Sequence, residues 1–416
     1  MNTPIVEPVI AIHAEHAADA WADRCGAVER PDYYLADLKQ IDNRISENLD
    51  GLVVAASRIW DLLAQGLEGG EPAAVFTAAV VAVTEGNRDW MSQVLEVVVD
   101  KYTAKAMASA IAWVGAGNDH RLTSQLLASE NPLHQHAGLA ANAIQGIALP
   151  DDLFQRRDLT SHPRFLKSIG ELGLTSLRRP CSSQLSSDNV EARFWAAWSC
   201  RLLGDSSAKR ELMDIVTNEP DFAEKACPLI ARGEAYAATA DWLGKLAANA
   251  ELQRLALVTT GAIADPVLAP WLIEFMANEE LAPAAGEAFS MITGVDLERE
   301  DLTVDAGEVD ESAGASDEAS GKAEPADTDA PLPVPDPSLV KGWWAENGGR
   351  FKPGKRYLAG KTINRDNLWT VLAEGPQRQR AAAAIELALL EPGKPLFNVR
   401  AKVGDQVRRI LSQSCE

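Results

Sequence analysis

The chain has 416 residues, of which 46% are hydrophobic and 24% charged, and its 60 acidic against 39 basic side chains leave a formal net charge of -21. That length supports two or three domains with a sizeable core and excludes a disulfide-stapled mini-protein. The acidic balance disfavours a general binder of nucleic acid or of anionic membranes.

The first eight residues are polar, with no basic start and no apolar h-region, and the longest apolar stretch, Ala73 to Val83, is closed off by Glu71 and Glu85. Such a stretch is too short for a membrane span, so no membrane partner is expected. Cys25, Cys181, Cys200, Cys227 and Cys415 are odd in number and widely scattered, without a C-x-x-C pair. They suggest neither a disulfide framework nor a metal site, and free thiols imply a cytoplasmic location.

From about residue 9 to 295 the apolar residues recur at spacings of three and four, which predicts helix throughout. Leu35, Leu38, Ile41, Ile45, Leu49, Leu52 and Ala56 form one continuous face, and Asp32 is placed to cap that helix. Helix-ending glycines then fall at Gly115, Gly146, Gly173, Gly204, Gly233, Gly261 and Gly294, a period of roughly 30 residues. Start signals precede the stripes: Asn131 and Pro132, Asp188 with Glu191, and Asn218 to Pro220. A helical pair cannot bury its apolar face alone, so the expected fold is all-α, an α-solenoid of short HEAT-like repeats over 91–295 preceded by an N-terminal helical region over 1–90. A compact irregular helical bundle is the alternative.

Residues 296–338 break this pattern, with 14 acidic side chains against Arg299 and Lys322 and a finish in Pro331, Pro333, Pro335 and Pro337. They read as an acidic disordered linker with a semi-rigid end. Residues 339–416 reverse the sign, with 14 basic against seven acidic side chains, and are expected to form a small basic C-terminal helical module. Opposite charge allows that tail to fold back on the acidic array or to recruit an anionic partner.

Candidate chemistry is sparse. Gly354 through Gly360, Lys361 and Thr362 ends like a phosphate-binding loop, but five residues separate its glycines where four are needed, and a basic surface turn is the better reading. His13 and His16 with Glu15 lie on or beside one helical face but lack a visible third ligand, so no metal is expected. No G-x-S-x-G is present, and Cys200 and Cys227 fall within apolar stripes where small thiols are buried. No catalytic residue and no cofactor are therefore assigned. Most of the eleven tryptophans are expected to pack between helices. Trp343 and Trp344 are adjacent and cannot both face one direction on a helix, which leaves one to dock the tail or a partner.

Three blocks together resemble an uncharacterised proteobacterial family of HEAT-repeat-containing proteins. The first runs from His13-Ala14-Glu15-His16 through Trp21 and Arg24 to Leu38–Arg44 and Leu49-Asp50-Gly51-Leu52; the second is Ala192-Arg193-Phe194-Trp195-Ala196-Ala197-Trp198-Ser199 with Leu202-Leu203-Gly204. The third holds Trp343-Trp344, Arg350-Phe351, Gly354, Arg356-Tyr357, Gly360, Arg380 and Glu386-Leu387-Ala388. The family is associated with type VI secretion gene clusters and has no assigned activity. The resemblance implies a cytoplasmic accessory or adaptor, and no catalytic residue to carry over.

The expected function is thus a noncatalytic protein-interaction scaffold that helps load a secretion effector or spike component. Its expected partner-binding residues are Arg193, Trp195 and Trp198 in the array and Trp343, Trp344, Arg350 and Arg356 in the tail. Two alternatives come from other classes: a HEAT-like nucleic-acid binder or DNA-alkylation glycosylase, disfavoured by the acidic array, and a lyase-type enzyme, since units of this length also resemble phycobilin lyases.

Overall fold

The computed structural model describes residues 7–115, 120–304 and 329–413, whose regular structure is helical apart from one hairpin of two-residue strands and one isolated bridge. The chain divides into two compact units, one of residues 1–29, 33–214 and 372–416 and the other of residues 30–32 and 215–371.

The first unit opens with α1 (Glu7–Ala27), α2 (Leu35–Leu67), α3 (Pro72–Glu85), α4 (Arg88–Glu96) and α5 (Lys101–Val114), and continues through α6 (His120–Ala128), α7 (Pro132–Gln145), α8 (Arg157–Thr160), α9 (Pro163–Glu171), α10 (Arg178–Ser182) and α11 (Val190–Leu202). Helix α12 (Ala208–Asn218) leads into the second unit, which holds α13 (Pro220–Ala231), α14 (Tyr236–Ala248), α15 (Gln253–Ile263), α16 (Ala269–Phe275), α17 (Ala282–Thr293) and α18 (Pro337–Asn347), then β1 (Tyr357–Leu358), β2 (Lys361–Thr362) and the start of α19 (Arg365–Glu374). The last helices, α20 (Gln377–Leu390) and α21 (Val403–Gln413), belong to the first unit. Packing is between near neighbours in sequence: α1 on α2, then α3 on α5, α5 on α7, α7 on α9 and α9 on α11, with α13, α15 and α17 repeating the pattern in the second unit.

Helix α2 buries Leu38, Ile41, Ile45, Leu49 and Leu52, the face its spacing predicts. Its start differs from expectation. Asp32 pairs with Arg30, and the cap is the Tyr34 backbone, whose N–H donates to the Asp37 carboxylate at 2.9 Å. Asn131 caps α7 as expected, whereas Asn189, not Asp188, caps α11. The periodic glycines stand at helix ends with positive φ except Gly261, which lies inside α15. A Cβ there would come 3.2 Å from the Ala288 Cα, so this glycine permits close approach of α15 and α17, while Ala264 takes the left-handed position that ends the helix.

Residues 339–416 do not form one module. Val340, Phe351 and Tyr357 join the core of the second unit with Leu257, Phe289 and Ile292, while α20 packs on α11 and α21 on α2. The acidic segment is ordered at both ends: Thr303 pairs with Pro335, Val304 N–H donates to Val334 O, and Arg254 holds Asp329. Residues 305–328 of the expected linker lie outside the described residues.

The loop that resembles a phosphate cradle is a plug on helix ends. Tyr357 N–H donates to Ala264 O, Ala359 N–H to Met291 O, and the Arg356 guanidinium to Ile263 O and Ala262 O at 3.0 Å each. These are carbonyls that the last turns of α15 and α17 leave without an intrahelical donor, so the N–H groups that would line a phosphate loop are used within the fold.

His136 of α7 faces His162, the side-chain cap of α9, with ring centroids 6.3 Å apart. Burial first, then the charges of Arg164, His162 and Lys167, push its imidazole down to about 3, so it is held neutral. An unfolded chain takes up this proton below about pH 6.5 and the folded chain does not, so stability is lost as pH falls from there towards 3. Between pH 6 and 4 this amounts to about 2–3 kcal/mol. Urea unfolding at both pH values, compared with His136→Gln, checks it: the acid loss shrinks by that amount in the variant, and an unchanged loss sinks the assignment.

Candidate functional site

The expected partner-binding residues fall into separate places. On α11, Trp195 is half-buried between Phe194 and Trp198, with the Lys167 ammonium 4.3 Å from its ring centre. Trp198 is only 8% exposed, and Arg193 is held by Ser187 O and Glu211, so both are packing residues of the first unit. In the second unit, Trp343 and Trp344 both contact Phe289 edge-on, and Trp344 also stacks on Phe351. Arg350 is exposed and lies over Trp343 at 5.2 Å. Arg356 serves the helix-end plug. Trp195, Trp343 and Trp344, each half-buried, and the exposed Arg350 are the members that keep surface to offer.

A more open feature lies in the first unit, and sequence reasoning missed it. Gly86 ends α3 in the left-handed conformation, and the Asn87 side chain then caps α4 by accepting from Asp89 and Trp90 N–H at 3.0 and 3.2 Å. Helix α4 turns Met91 and Val94 inward. Its other side, with Ser92 and Leu95, faces α6 and the first turn of α7 across a groove. One cavity of about 540 Å³ is floored by Ala82, Val83, Met91, Leu95, Leu122 and Leu126, with Arg88, Arg121, Gln125 and Ser129 at its edges. A second of about 570 Å³ continues past Glu96 to Val98, Val99 and Leu133. The two share Ser92, Leu95 and His134. Val99, 68% exposed, stands at that far end.

His134 fixes the junction. Its Nε2 lies 3.2 Å from Leu95 O and its Nδ1 3.3 Å from Ser129 Oγ. A carbonyl only accepts, so Nε2 is the donor to Leu95 O, and the two contacts tie the end of α4 to the turn before α7. The only sequence signal for the groove is that α4 and α6 are nine residues each with few inward positions, too little to cover both faces.

Titratable groups elsewhere are structural. Among the described cysteines none is bonded to another; Cys181 and Cys227 are buried, and burial pushes the Cys227 thiol up to about 12. Among the described residues no group of three or more His, Cys, Asp or Glu is placed to hold a metal ion, and no helix is long and apolar enough to cross a membrane. No family model, curated protein or solved structure matches the chain.

Proposed function

We propose that the chain is a noncatalytic protein-interaction scaffold, an α-solenoid of HEAT-like layers that acts in the bacterial cytoplasm as an accessory of type VI secretion and helps load an effector or spike component. The observation that carries the scaffold reading is the open, apolar-floored groove along α4. An apolar floor of this kind, with exposed Val99 at its far end, offers a partner surface to bury. The stacking of alternate helices, α3 to α5 to α7 to α9 to α11, supports the layered reading. The three sequence blocks support the secretion setting.

The test is affinity purification of the full-length chain, and of Ser92→Trp, from a bacterium that encodes it, followed by mass spectrometry. The shared groove residue Ser92 is exposed, so a tryptophan there fills the groove without entering the core. A stoichiometric secretion component that follows the parent chain and is lost with the variant is the expected result. Absence of any stoichiometric protein overturns the scaffold reading. A truncated chain ending at Val295 is unsuited to this purpose, because residues 372–416 complete the first unit.

A further inference from the structure

Cys181 and Cys200 stand far apart in the sequence, with no C-x-x-C spacing to join them. The fold of the first unit brings them together. Cys181 is on α10 and Cys200 on α11, helices that pack against each other, and both side chains are fully buried. Each sulfur reaches across to the other's helix. Cys181 Sγ lies 3.5 Å from Ala196 O, one turn before Cys200, and Cys200 Sγ lies 3.9 Å from Arg178 O, one turn before Cys181. This crossing sets the two sulfurs side by side, and their direct contact, followed by burial, raises the Cys181 thiol above its usual range. In the closed fold Cys181 therefore keeps its proton, and a protonated, buried thiol is a poor nucleophile.

The two helices differ in how firmly they are held. Helix α11 packs on α9, where Gly170 N–H donates to Ser199 Oγ at 3.1 Å and the serine hydroxyl donates to Leu166 O at 2.6 Å. Helix α10 has five residues, and of the described residues 175–189 only Leu177 and Cys181 are buried. With two inward anchors this overlay opens locally at low cost while α11 stays in place. Opening carries Cys181 to solvent and leaves Cys200 waiting on α11.

We propose that Cys181 and Cys200 form a reversible dithiol, which a disulfide oxidant of the glutathione class joins into a bond that staples α10 to α11. In the opened segment the Cys181 thiolate, its proton lost to water, attacks one sulfur of oxidised glutathione and expels a glutathione thiolate. On reclosing, Cys200 gives up its proton and its sulfur attacks Cys181 Sγ in the mixed disulfide, which forms the Cys181–Cys200 bond and expels the second glutathione. The two cysteines lose two electrons in all, the oxidant gains them, and the two released protons end on the departing thiolates. In a reducing compartment such a bond is transient and follows the state of the thiol pool.

The test is incubation of the full native chain with oxidised glutathione, followed by alkylation in denaturant and tryptic mapping. Cleavage after Arg178, Arg193 and Arg201 puts the two cysteines on separate peptides, residues 179–193 and 194–201. The expected result is those two peptides joined and released by dithiothreitol. The oxidised chain is expected to melt at a higher temperature than the reduced one, because the closed loop restricts the unfolded chain. Cys200→Ser is expected to stop with glutathione on Cys181, and Cys181→Ser to leave Cys200 unmodified. Should either variant fail to fold, the joined peptides of the parent chain decide alone. Two separately alkylated peptides after oxidation, a lasting mixed disulfide in the parent chain, or a joined pair that forms only in unfolding urea overturns the proposal. A lower melting temperature on oxidation overturns it too, since the fold then does not accommodate the bond.

Discussion

Asp42→Ala is expected to lower the unfolding free energy by about 3–5 kcal/mol. Asp42 lies on α2 and is 3% exposed; its carboxylate accepts from the Arg24 guanidinium of α1 and, at 2.7 Å, from the Val403 backbone N–H. Arg24 directs its remaining donors to Arg400 O at 2.9 Å and Ala401 O at 2.8 Å. One buried ion pair thus joins the first two helices to the segment that enters α21. Removing the carboxylate leaves a buried cation with only neutral carbonyls and an N–H with no acceptor, and both losses are taken in full because water does not reach them. The double variant Arg24→Met with Asp42→Leu is expected to recover a large part of the loss, since an apolar pair carries no uncompensated charge. Urea unfolding of the three chains measures this, and proteolysis at Arg408 and Arg409 reports whether α21 is released. A single variant within about 0.5 kcal/mol of the parent contradicts the account.

This clamp explains why the tail reads, in sequence, as a module of its own. Its basic composition is plain there, and so is its helical spacing. What composition does not carry is the set of partners: Arg380, fully buried, donates to the neutral oxygens of Leu372, Gln377 and Gln406, and Lys402 lies 4.5 Å from the Trp113 ring centre. Several of the basic residues that look like a surface for anions are internal donors. Arg380 is held so far from water that burial pushes its guanidinium down to about 10. The helical stripe of α2 is legible because its period is local, and Leu38, Ile45 and Leu52 need no knowledge of the neighbour to be placed inside. Gly261 shows the limit of the same local reading. A glycine that ends a helix and one that lets two helices touch look identical in sequence, and only the Ala288 backbone beside it separates them. The groove is illegible for a related reason: α4 displays ordinary amphipathic spacing, and the space beside it exists because α6 and the start of α7 stand off from its second face.

Gly294→Ala and Gly146→Ala make the contrast measurable. Both glycines end a helix at nearly the same backbone angle, φ +72° for Gly294 and +68° for Gly146. A side chain at either position incurs the left-handed strain of about 1–2 kcal/mol. At Gly146 an added Cβ meets nothing within 4 Å, so that strain is the whole effect. At Gly294 it would come 2.5 Å from the Ala359 carbonyl carbon and 2.6 Å from its oxygen, both backbone atoms of the hairpin turn. That turn has no room to retreat, because Ala359 N–H and Gly360 N–H are bound to Met291 O and Ile292 O, carbonyls of α17. The substitution therefore adds an overpacking cost of about 1–3 kcal/mol and lifts the plug from the helix ends it caps. Gly294→Ala is expected to cost about 2–5 kcal/mol in all, and to change the fluorescence of Trp343 and Trp344, whose rings rest on Phe289 one turn before the strained cap. Equal losses at the two glycines would mean that the hairpin yields freely, and the plug would then be a passive surface turn after all.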